Sequence, residues 1–136
     1  MACPFFYPVE FLDRGAGAKA VPLGDAWAGT CQANPESPFR PEESALIPLC
    51  NLGYARACPH FPRNGSPEAT RFSVTRDQNG MVRLDFVVER DHLPVEHGPL
   101  VYSRESGTFV VPHVRALVQR QAEAYVESYL RRKAAP

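Results

Sequence analysis

The sequence predicts a small α+β protein, on three observations: four cysteines scattered through a proline-punctuated first half, an Asn-Gly dipeptide between two alternating runs, and an apolar stripe at helical spacing near the end. The 136 residues suit a single domain over 1–136, with an irregular metal-binding half over 1–70 and a hairpin, sheet and helix over 71–136. Fourteen prolines and nine glycines exceed ordinary usage, and ten of those prolines, from Pro4 to Pro67, fall in the first half and interrupt ladders and helices there. One helical segment is expected inside it, opening at Pro41 with Glu42 and Glu43 in its first turn and Ala45, Leu46, Leu49 and Cys50 on one side. Pro48 should kink it, and Gly53 should stop it.

The second half is more regular. Thr70 to Arg76 and Met81 to Arg90 flank Asp77-Gln78-Asn79-Gly80, and Asn-Gly accepts the positive φ of a tight hairpin turn. In the second strand Val82, Leu84, Phe86 and Val88 alternate with Arg83, Asp85, Val87 and Glu89, which predicts one buried and one mostly wet face. A third strand is expected from Leu100 to Ser103 and a fourth from Thr108 to Val111, giving an antiparallel sheet of three or four strands. A long C-terminal helix from about Pro112 to Lys133 should pack on this sheet through Val114, Leu117, Val118, Ala122, Tyr125, Val126, Tyr129 and Leu130. A partner helix is the other use for such a stripe.

Fifteen cations balance fifteen anions, so no bulk field draws the chain to nucleic acid, and none is predicted as a partner. Arg71, Arg76, Arg83 and Arg90 share one region with Phe72, but Asp77, Asp85 and Glu89 lie among them. No run approaches the roughly 18 apolar residues of a membrane span. The start, Met1-Ala2-Cys3-Pro4-Phe5-Phe6-Tyr7-Pro8, lacks the basic and apolar regions of an export signal, so a cytoplasmic setting is expected. In a reducing compartment four cysteines point to ligands or nucleophiles before disulfides.

The cysteines Cys3, Cys31, Cys50 and Cys58 are spaced C-x27-C-x18-C-x7-C, without the paired knuckles of a zinc ribbon or the ferredoxin run. Their number matches an all-cysteine zinc site or a cubane cluster. Glycine, asparagine and proline beside them let backbone amides converge on sulfur. A four-thiolate cluster carries negative charge that Lys19, Arg56 and Arg63 could offset, and Phe5, Phe6, Tyr7, Trp27, Tyr54 and Phe61 could shield it. Buried inert thiols and disulfides are the plainer alternatives.

The run from Cys50 to Pro62, with Pro22-Leu23-Gly24-Asp25 and Val88-Glu89-Arg90-Asp91-His92, resembles small uncharacterised bacterial proteins with four cysteines, of iron–sulfur type. That resemblance touches about half the chain and implies that the cysteines are ligands. The expected function is therefore a [4Fe–4S] cluster protein in electron transfer or redox sensing, working with a redox or other protein partner. The alternative cofactor is zinc, in a protein-interaction module with a structural four-cysteine site.

A further alternative is a small enzyme built on Glu89 to Gly98, where His92, His97 and Glu89 or Glu96 could form a metal site or an acid–base pair; the ordinary reading is a solvated loop. His60 could replace a cysteine, and His113 is expected to be exposed. No phosphate-binding loop, dinucleotide fingerprint or nucleophile elbow is present.

Overall fold

The computed structural model describes residues 1–15, 21–54, 58–62 and 66–134. In chain order it contains β1 (Phe6–Leu12), β2 (Ala26–Cys31), α1 (Glu43–Ala45) running into a π turn (Leu46–Cys50), β3 (Ala69–Gln78), β4 (Met81–Arg90), β5 (Leu93–Ser103), β6 (Thr108–Phe109) and α2 (Ala116–Ala134). The architecture is α+β with two antiparallel sheets, one of β1 and β2 and one ordered β3-β4-β5-β6.

The N-terminal half is thus not merely irregular: it holds a two-stranded sheet that the proline count obscured. Pro8 is tolerated in β1 because the register slips between Pro8 and Glu10, and a bulge does not need the amide that proline lacks. The bulge leaves the carbonyls of Pro8 and Val9 free for Arg120 of α2, which donates to them at 2.6 and 3.2 Å. Gly29 of β2 lies so close to the Tyr7 carbonyl that any Cβ would collide with it. The expected helix after Pro41 is a single α turn plus the π turn through Pro48, closed by the Asn51 amide on the Leu46 carbonyl at 2.8 Å. Gly53 does not cap it; its amide bonds the Met1 carbonyl, and Tyr54 next to it takes φ of 61°.

The hairpin at Asn79-Gly80 forms as expected, with φ of 55° and 76° at the turn. Val82, Leu84, Phe86 and Val88 are buried, but so is Glu89 on the face expected to be wet. The third strand begins at Leu93, not Leu100, so the segment expected as a polar loop is sheet. Asp91 and His92 alone make the turn, at φ of 52° and 62°, between the paired residues Arg90 and Leu93. The sequence carries no glycine there to announce it; Asp and His are among the non-glycine residues that enter this region most readily. The fourth strand is shorter than expected, pairing only Phe109 with Tyr102 and Thr108 with Ser103.

α2 begins four residues later than expected, because Pro112 to Arg115 are occupied otherwise. The Gln119 side chain accepts from the His113 amide at 2.7 Å, and the His113 ring accepts from the Arg115 amide at 2.9 Å. Val114, expected on the packed stripe, is almost fully exposed. Once started, the helix buries more than one stripe. Val118, Ala122 and Val126 join the apolar core, while Gln121 and Ser128 are buried with their polar atoms bonded. Ser128 Oγ accepts from the Asp25 amide at 3.2 Å and from Trp27 Nε1 at 3.3 Å. Gly24, at φ of 87°, allows this approach, since a Cβ would run into the Ser128 side chain. Arg131 and Arg132 close the helix end on Asp25. One apolar cluster therefore runs from Phe6, Leu23 and Trp27 through Leu84, Phe86 and Leu100 to α2.

Candidate functional site

Each cysteine reaches the site on a different piece of chain. Ala2 pairs with Thr70 of β3 through backbone bonds of 2.6 and 2.8 Å, which fixes Cys3 beside the larger sheet. The Cys3 amide then donates to the Cys50 carbonyl at 3.2 Å, joining the first and third cysteines directly. Cys31 ends β2, opposite Phe6 of β1, and exchanges two backbone bonds with Phe39 on its other side. Cys50 closes the π turn and is buried.

Cys3 and Cys58 sit in matching turns. In Cys3-Pro4-Phe5-Phe6 the Phe6 amide donates to the Cys3 carbonyl at 3.1 Å; in Cys58-Pro59-His60-Phe61 the Phe61 amide does the same to Cys58, also at 3.1 Å. Proline supplies the fixed φ that such a turn favours at its second position. The two turns meet through the rings of Phe5 and Phe61, edge to face with centroids 5.6 Å apart. The twice-used Cys-Pro-x-Phe tetrapeptide is a sequence signal that periodicity and cysteine spacing alone do not register.

The four thiols share one electrostatic neighbourhood. Burial raises the pKa of both Cys3 and Cys50 to about 12, and repulsion from the other thiols adds to it: Cys31 and Cys58 act on Cys3, and Cys3, Cys31 and Cys58 on Cys50. Cys31 is raised for the same two reasons, with Cys58 its interacting thiol. Opposing this, the amides of Phe5 and Phe6 hydrogen-bond the Cys3 sulfur, and the Ala33 amide that of Cys31. Cys31, Cys50 and Cys58 line one cavity of about 510 Å3 together with Phe39, Leu49 and His60. His60 packs against Phe39, its ring 4.5 Å away and tilted. Among the described residues, no three or more His, Cys, Asp or Glu side chains are drawn together as the ligands of a metal ion.

Two buried carboxamides that the sequence did not single out hold these segments in place. Asn51 accepts from the Trp27 amide at 3.0 Å and donates to the carbonyls of Trp27 and Leu46 at 3.0 and 2.7 Å, locking the Cys50 turn to the strand that carries Cys31. Gln121 donates to the carbonyls of Cys3 and Phe6 at 2.8 and 2.7 Å. Of the expected shield, Phe5 and Phe61 stand at the turns, whereas Phe6 and Trp27 are buried in the general core. Lys19, Arg56 and Arg63, the expected compensating cations, lie outside the described residues.

The histidine segment is dispersed. His92 stacks on Tyr54 at 4.2 Å, and the Tyr54 hydroxyl donates to Glu89 at 2.8 Å. Burial, and then this bond to a carboxylate, push the Tyr54 pKa up to about 12. Glu89 also faces Arg71 at 3.3 Å. His97 instead lines a separate cavity of about 340 Å3 with Arg71, Arg83 and Asp85. Glu96 is taken by His113 at 2.7 Å and by Arg115. His113 is accordingly not the exposed residue expected: its side chain is mostly buried, with its ring edge-on to Phe86.

Fold and site together define a small α+β protein with two antiparallel sheets and a C-terminal helix, in which Cys31, Cys50 and Cys58 line one cavity and the Cys3 amide bonds the Cys50 carbonyl. Comparison with profiles of known protein families, with curated proteins and with solved structures finds no match. Among the described residues no helix is long and apolar enough to cross a membrane.

Proposed function

We propose that Cys3, Cys31, Cys50 and Cys58 hold a [4Fe–4S] cluster and that the protein serves in electron transfer or redox sensing. The observation that supports this is that four thiols from segments far apart in sequence lie near enough to act on one another electrostatically, with Cys31, Cys50 and Cys58 lining one cavity. Amides of Phe5, Phe6 and Ala33 aimed at sulfur are a further support, because such bonds stabilise thiolate over thiol. A single zinc ion draws its sulfurs to about 2.3 Å from one centre. Four thiolates are equally the complement of a cubane cluster, and the cavity of about 510 Å3 beside three of the cysteines leaves room for a group larger than one ion.

When bound, the cluster supplies a one-electron couple. The chain's part is to hold four thiolates, supply amide hydrogen bonds and exclude water at the Phe5–Phe61 contact. A complete thiolate shell leaves no position for substrate, which favours electron exchange with a protein partner over catalysis at the metal. Binding must expel the thiol protons, so uptake should strengthen as pH rises. The test is anaerobic purification followed by iron, sulfide and zinc analysis of the wild type and each Cys→Ser variant. Brown protein bleached by dithionite, with iron lost in all four variants, is the expected result. Colourless protein carrying one zinc per chain would replace the cluster with a structural site.

A further inference from the structure

The four-stranded sheet carries a second cavity, of about 340 Å3, that shares no residue with the cysteine cavity. Its composition follows from the register. Val87 of β4 pairs with Arg71 of β3 on one side and with His97 of β5 on the other, so these three side chains stand in one row on one face. Asp85 and Arg83 share that face by the strand's period of two, and Pro94 and Pro99 border His97 as apolar edges. Both arginines are held by one end. Arg71 approaches Glu89 through Nε at 3.3 Å, and Arg83 Nε donates to Asp85 Oδ1 at 3.3 Å. Among the described residues, the terminal amino groups of both arginines make no hydrogen bond, and Asp85 Oδ2 accepts none. Arg71 is also fixed from behind. Glu89 has only 9% of its side chain exposed, and its Oε1 accepts from the hydroxyl of Tyr54, whose ring stacks on His92. A carboxylate so far out of water depends on its partners, which holds Arg71 in place. Exposed guanidinium heads ordinarily move freely and gain little from an ion pair. Here two are anchored at Nε beside one cavity, with their outer donors unused.

We propose that this cavity binds the phosphate of a small, hydroxyl-bearing phosphomonoester. Guanidinium groups present planar, paired donors that match phosphate oxygens, and Arg71, Arg83 and His97 offer three donor groups to three terminal oxygens. Asp85 repels a second anion but accepts a hydroxyl proton at Oδ2, so the organic part of the ligand lies on that side, its carbons against Val87 and Pro99. The volume falls in the range of small-molecule sites, about 300–1,000 Å3. This site stands apart from the cluster, because the two cavities have no residue in common, and either can fail without the other.

The test titrates isotope-labelled protein with inorganic phosphate, glycerol phosphate, glycerol and acetate at fixed ionic strength and follows the amide resonances. Glycerol phosphate should move those of Arg71, Arg83, Val87 and His97 along one saturable curve, inorganic phosphate should move the same set more weakly, and glycerol should move none. Arg71→Gln and Arg83→Gln should each weaken binding at least about tenfold, the loss expected for one charged hydrogen-bonding group. Arg104→Gln removes the same charge outside the cavity, where Arg104 pairs with Asp77, and should leave the affinity unchanged. Equal weakening by Arg104→Gln, or shifts that never saturate, would reduce the effect to general charge attraction and overturn the site. Acetate bound as tightly as phosphate at the same residues overturns the phosphate assignment. Glycerol phosphate bound no tighter than inorganic phosphate overturns the place given to Asp85. Should Arg71→Gln fail to fold, Arg83→Gln decides, since half of the Arg83 side chain is exposed and its partner Asp85 is not buried; an unchanged affinity there overturns the proposal.

Discussion

Asn51 and Gln121 carry the same functional group, and at both the structure spends a buried amide on holding a cysteine segment. Asn51 is fully buried and makes three bonds, two to Trp27 and one to Leu46. Asn51→Ala would strand the Trp27 amide and two carbonyls and open a small void. The expected loss is roughly 2–4 kcal/mol, read as a lower urea midpoint with an unchanged m value. A midpoint within experimental error of wild type would mean that water or a shifted backbone replaces the side chain. Neither carboxamide was legible in advance. A buried polar residue is recognisable only through its partners, and two of those of Gln121, Cys3 and Phe6, lie more than a hundred residues away in the chain. The cysteines themselves were legible by number, whereas the placement of their segments depends on Asn51, on the Ala2–Thr70 bridge and on the two proline turns.

Among the elements, those specified by local chemistry were the readable ones. The Asn79-Gly80 hairpin and the alternation of β4 needed only turn preference and a period of two. β1 and β2 were missed because proline and glycine, which ordinarily argue against strands, are here placed at a bulge and at a close backbone approach. The Asp91-His92 turn was missed for want of glycine, and the start of α2 because His113 caps by its ring. That cap makes an acid-sensitive element. The Arg115 amide donates to Nδ1, so the neutral ring carries its proton on Nε2 and gives it to Glu96. Burial holds the His113 pKa below its ordinary value. A histidine depressed on folding binds protons more readily when unfolded, so its contribution is complete above about pH 6.5 and fades as pH falls toward the lower folded value. Stability should drop between pH 7 and 5, and His113→Gln should flatten that part of the profile. A profile unchanged by the substitution would place the acid sensitivity elsewhere.

At the scale of the whole molecule, the cluster proposed above would make metal and fold interdependent. Without metal, burial keeps Cys3 and Cys50 protonated to about pH 12, against an ordinary value of 9.0. Groups whose pKa rises on folding stabilise fully below the unfolded value, and that contribution is lost as pH climbs through the folded one. The metal-free protein should therefore weaken from pH 9 upward, while the loaded protein, whose thiolates are already unprotonated, should not. Urea midpoints of both forms between pH 7 and 10.5 provide the check; parallel curves would contradict it. Hydrogen exchange should show a related division. Removing metal should deprotect β1, β2 and the π turn, since a two-stranded sheet is marginal without outside support. The β3–β5 meander, with its own hairpins and core, should stay protected. Equal loss in both sheets would make the centre global in its effect.

The clamp from Gln121 to the Cys3 turn also has a bearing on how the chain is made. All four cysteines precede α2, so at about 5–20 residues per second they emerge from the ribosome seconds before the helix that closes their first turn exists. During synthesis Asn51 and the Ala2–Thr70 bridge can already hold the Cys50 and Cys3 segments, whereas the bonds from Gln121 cannot yet form. A cluster of the kind proposed would thus meet four cysteines whose first turn still lacks its Gln121 bonds, until the last helix supplies them.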